Sequence, residues 1–87
     1  MGRPAQAESS MRIMVPGSRE AHVLLEVYDS AGRLLKTLVN EEKEPGYHLA
    51  GWNCEDKSGK EAAAGVYFYR LTAGSVHTST KKMILLR

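Results

Sequence analysis

The chain has 87 residues and a mass of 9.6 kDa, enough for one core, and a domain of this size buries only about 60 to 65% of the surface its unfolded form exposes. Hydrophobic residues make up 43% and charged residues 25%, the balance of an ordinary folded protein, which excludes wholesale disorder. Twelve Lys and Arg against ten Asp and Glu leave a net charge of +2, too small to steer the chain toward nucleic acid or anionic lipid.

No run approaches the roughly 20 apolar residues that cross a bilayer, and the first fifteen residues hold no apolar stretch followed by a small-residue cleavage site. The expectation is therefore a chain with no transmembrane segment and no signal peptide. Residues 1–9 are polar and read as a flexible lead or linker remnant, and residues 10–87 as the folded module.

Met11 to Val15 reads as a short edge strand closed by Pro16-Gly17. From His22 to Tyr28 the period is two, with Val23, Leu25 and Val27 on one face and His22, Leu24, Glu26 and Tyr28 on the other. Asp29-Ser30-Ala31-Gly32 supplies a side-chain-capped turn, and the chain returns as a strand from Arg33 to Val39. The charged run Asn40 to Gly46 is placed as an exposed loop. Tyr47 to Trp52 forms the next strand, and Asp56-Lys57-Ser58-Gly59-Lys60 a second tight turn.

Glu61 to Ala64 is a helical turn or a short strand, and Gly65 ends it. Val66 to Thr72, rich in aromatic and β-branched residues, is the strongest strand. Ala73-Gly74-Ser75 is a hairpin connection, and the last strand runs from Val76 to Leu86. Six or seven short strands predict two packed antiparallel sheets, with a small closed barrel as the competing arrangement. The expected core is Val23, Leu25, Val27, Trp52, Tyr67, Tyr69 and Leu71, because large alternating side chains fill the space between sheets. Phe68 falls on the opposite face from Tyr67 and Tyr69.

No constellation for catalysis stands out, so no enzyme, cofactor or metal site is expected. His22, His48 and His77 are far apart, with no second ligand at a metal spacing. Cys54 has no thiol partner, and Glu55 and Asp56 beside it disfavour a thiolate. The acidic run at Glu41 lacks a calcium-loop spacing, the turn at Asp56 lacks the rest of a phosphate loop, and no serine lies in a G-x-S-x-G elbow. Lys81 and Lys82 point to opposite faces of a strand that Thr78, Ser79 and Thr80 make polar on both sides. Such a strand is either a protected edge or, together with Arg87, a contact for a partner.

Four ordered motifs carry a resemblance: Val27 through Val39, Gly46-Tyr47-His48 leading to Trp52-Asn53, Asp56 through Lys60, and Ala64 through Leu71. Together they resemble the immunoglobulin-like module at the C-terminus of many secreted bacterial proteins. This module is similar to the Ig-like domain of the flagellar hook-capping protein and to the sorting domains of type IX secretion substrates. The resemblance runs from about Ser10 to Arg87 and implies an all-β, immunoglobulin-like antiparallel β-sandwich of about seven short strands with no catalytic residues.

What it further implies is a non-catalytic C-terminal accessory module of a longer protein, secreted or held at the cell surface, serving sorting, attachment or spacing. The implied partners are the export machinery or neighbouring domains of a larger parent protein, read through Lys81, Lys82 and the tail to Arg87. A structural scaffold role in an extracellular or flagellar hook assembly is the alternative. A carbohydrate-binding sandwich is a further one, and it requires Tyr28, Tyr47 and Phe68 to lie in an exposed line. The expected state is a monomer or an edge-strand dimer.

Overall fold

The computed structural model describes residues 9–75 and 77–86, which form six antiparallel strands. These are β1 Ser9–Val15, β2 Ala21–Asp29, β3 Leu34–Lys43, β4 Gly46–Trp52, β5 Gly65–Ala73 and β6 His77–Leu85. One sheet has the order β3-β2-β5-β6, and the other is the ribbon β1-β4. Among the described residues no strand of one sheet pairs with a strand of the other, so the architecture is an all-β sandwich and not a closed barrel.

The two-residue period decides what is buried. Met11, Ile13 and Val15 of β1 and Ala50 and Trp52 of β4 face Val23, Leu25 and Val27 of β2 and Tyr67, Leu71 and Ala73 of β5, with Leu85 of β6 closing one end. Val23, Leu25, Val27 and Trp52 have no exposed surface. The Trp52 and Tyr67 rings meet edge to face with centroids 5.6 Å apart, a geometry that adds to the area they bury. The indole N–H donates to the Glu55 carbonyl at 2.9 Å and the Tyr67 hydroxyl donates to the Ala63 carbonyl, so neither ring buries an unpaired polar atom.

The described residues hold six strands, within the expected six or seven, four in one sheet and two in the other. Several sequence expectations need correction. Ser9, assigned to the lead, pairs with Trp52 and opens β1. Asn40 to Lys43, read as loop, continues β3, with Glu41, Glu42 and Lys43 paired to Val23, His22 and Ala21. Polar residues on both faces are tolerated there because β3 is an edge strand. Segment 61–64 forms no helix; Glu61 makes an isolated bridge to Glu55. Tyr69 is half-buried and packs at the margin of the core. Val76, where the last strand was expected to begin, and Arg87 lie outside the described residues.

Tyr69 is marginal because the layers differ in width. With strands about 4.8 Å apart, four span about 14 Å and two only about 5 Å. The ribbon sits toward β3: Gly51 and Asn53 face Lys36 to Leu38 across a cleft, and the Lys57 amide beyond β4 donates to the Leu35 carbonyl at 2.9 Å. The inner side of β6 is left less covered, and His77, Ser79 and Lys81 there are partly or fully exposed.

Candidate functional site

Two turns of the same design fix the ends of the sheets. In Asp29-Ser30-Ala31-Gly32-Arg33, Asp29 Oδ1 accepts from the amides of Ala31 and Arg33, both at 2.9 Å, and the Arg33 side chain donates to Oδ2 at 3.0 Å. In Asp56-Lys57-Ser58-Gly59-Lys60, Asp56 Oδ1 accepts from the amides of Ser58 and Lys60 at 2.9 Å and from the Ser58 hydroxyl at 2.8 Å. Gly32 and Gly59 take φ near +87° and +88°, a left-handed conformation that costs glycine least. Bonds to the ionised form hold both carboxyls below the usual range, the Arg33 amide leading at Asp29 and the Ser58 hydroxyl at Asp56.

Beside the first turn, the outer face of the large sheet has a shallow concavity of about 260 Å³ between Tyr28, Phe68 and Arg70. Its polar groups are paired with one another. The Arg70 guanidinium lies over the Tyr28 ring, donates to the Tyr28 hydroxyl and sits 3.6 Å from Glu26, while that hydroxyl donates to Glu26 at 2.9 Å. Desolvation first, then the Glu26 carboxylate, raises the Tyr28 phenol above its ordinary value. An already protonated phenol tied to an ion pair is no nucleophile. Among the described residues no three His, Cys, Asp or Glu side chains come together as a metal site.

The aromatics needed for a carbohydrate platform do not line up. Tyr28 and Phe68 are register neighbours on the outer face of the large sheet. Tyr47 is 69% exposed on the outer face of the ribbon, on the other side of the molecule, under the Arg12 guanidinium at 5.0 Å. Cys54 is buried, with φ at +64°.

Lys81 and Lys82 lie on β6, at the edge of the large sheet, and both are exposed. Lys81 is opposite Tyr69 and Lys82 opposite Phe68, which places them on the inner and outer faces. Arg87, the third residue expected at this contact, lies outside the described residues. Beyond Lys82 on the outer face, Ile84 is 61% exposed opposite Val66, and Leu86 after the strand is 77% exposed. The strip does not stand out in the sequence, where Met83-Ile84-Leu85-Leu86 is continuously apolar. Period two from Lys82 separates Ile84 from the inward Met83 and Leu85.

Among the described residues no helix is long and apolar enough to cross a membrane. A family model described as the FlgD Ig-like domain matches residues 3–76. No curated protein and no solved structure matches the chain.

Proposed function

Since the chain belongs to the FlgD Ig-like domain family, we propose that it is a non-catalytic accessory module of an exported bacterial protein, serving sorting, cell-surface attachment or spacing. The observation that carries this reading is the make-up of β6, an edge strand with Lys81 and Lys82 on opposite faces and Ile84 exposed beside them. Exposed cations next to exposed aliphatic side chains suit recognition by a partner surface rather than chemistry on a small molecule. The partners are then the export machinery or neighbouring domains of the parent chain.

The test is a fusion of the chain to a secreted reporter in a bacterium whose export system takes such modules. The fusion directs the reporter out of the cell or onto its surface, and Lys81→Glu/Lys82→Glu lowers the exported fraction while the module stays folded. Secretion and attachment that are the same with and without the module overturn the reading.

The family description itself favours a second reading, a scaffold domain of a flagellar hook assembly. The parent chain discriminates: a catalytic region joined to the module supports sorting or spacing, and a hook-assembly region supports the scaffold.

A further inference from the structure

Strand β1 pairs with β4 along all seven of its residues, in unbroken register from Ser9 against Trp52 to Val15 against Gly46. Its other side pairs with no described strand. Sheet edges are normally blunted by bulges, prolines or charged side chains, lysine above all. The two outer strands of the large sheet follow that rule: β3 has two register shifts toward β2 and a charged end, and β6 carries Lys81 and Lys82. Within β1 there is no Pro, Gly or Lys and no bulge.

This edge, whose one charged residue is Arg12, opens on a groove of about 410 Å³ between the two layers. Ile13 forms one wall, with Arg12, Met14 and Tyr47 reaching it from the outer face of the ribbon, and the inner side of β6, with His77, Ser79 and Lys81, forms the other. Tyr69 and Leu71 of β5 make an apolar floor. The large sheet is two strands wider than the ribbon, about 10 Å, so a further strand has room beside β1.

Charge selects the occupant. Arg12 and Lys81 are cations on either side of the groove, and no carboxylate is among the described residues that line it. A second copy of the chain is disfavoured by the same charges. Arg12 is the middle residue of the seven in β1, so a fully overlapping two-fold pairing of two β1 edges puts one Arg12 across from the other. We propose that the β1 edge is a strand-docking site for an extended, acidic segment of a partner protein, which adds as the third strand of the smaller sheet. Its backbone pairs with β1, an apolar side chain covers Tyr69 and Leu71, and carboxylates meet Arg12 and Lys81. The site goes beyond the sorting, attachment or spacing reading and does not depend on which of these holds.

The experiment selects binders to the 87-residue chain from a displayed library of random short peptides, then maps the selected peptides by amide hydrogen exchange. The expected peptides alternate apolar residues, carry an excess of Asp and Glu, and slow exchange at the outward amides of β1. In Arg12→Glu/Lys81→Glu, whose substituted side chains are both exposed, they bind about tenfold more weakly while the urea midpoint is kept. The proposal is overturned by peptides without an acidic excess, by protection elsewhere than β1, by a selection that yields no binder, or by a dimer that buries the β1 edges against each other.

Discussion

Trp52 is the residue on which the two layers close. It is wholly buried, stacks edge to face on Tyr67 and bonds Glu55 through its N–H. Trp52→Ala is expected to cost about 3 to 5 kcal/mol, most of what a domain this small has in reserve, and to abolish a cooperative urea transition. Trp52→Phe keeps a ring against Tyr67 but loses the indole bond; it leaves a two-state transition with a lower midpoint. A loss below about 1 kcal/mol for the alanine variant contradicts the placement. Asp29 and Asp56 act at the surface and through pH. Both have carboxyls depressed in the folded state. Their contribution is therefore complete above the unfolded carboxylate value of about 4 and is lost as pH falls through the lower folded values. Asp29→Asn/Asp56→Asn lowers the urea midpoint at neutral pH and flattens its fall below about pH 4. Wild type and variant falling in parallel contradicts this.

At the scale of elements, alternation separates positions of similar composition. Leu25 on β2 is fully buried, whereas Leu49 on β4 is 76% exposed. Leu25→Ala is expected to cost about 2 to 5 kcal/mol and Leu49→Ala less than about 0.5, read from urea unfolding. The strands β2 and β5 were legible because a buried face leaves a period of two in the sequence. The end of β3 was not, because Asn40, Glu41 and Glu42 are all exposed and leave no apolar signal. Backbone pairing to β2 holds that segment, with His22 bonded to Asn40 at 2.6 Å and Lys43 paired with Glu41 at 2.9 Å. Hydrophobic pattern reports faces; it does not report which polar segments find a ladder partner.

For the whole molecule, the sandwich was readable from strand number and turn chemistry, and the ordered motifs named its family. The opposite facing of Lys81 and Lys82 was readable from alternation alone. The unequal layers were not: they depend on β1 pairing with β4 across two intervening strands, and on the ribbon lying over the β3 side. That asymmetry leaves Tyr69 at the margin, makes the polar start of β6 tolerable, and gives β1 its open edge. With Arg12 at the centre of that edge, the chain is expected to be monomeric by light scattering coupled to size-exclusion chromatography at all concentrations; a concentration-independent dimer contradicts this. Two strands cover four, and one side of β1 pairs with no described strand. Residue-resolved amide hydrogen exchange on the free chain tests this arrangement most directly. The slowest exchange is expected in β2 and β5, with protection in β1 at alternate amides only, those bonded to β4. Uniform protection along β1 would show a third strand already in place and contradict it.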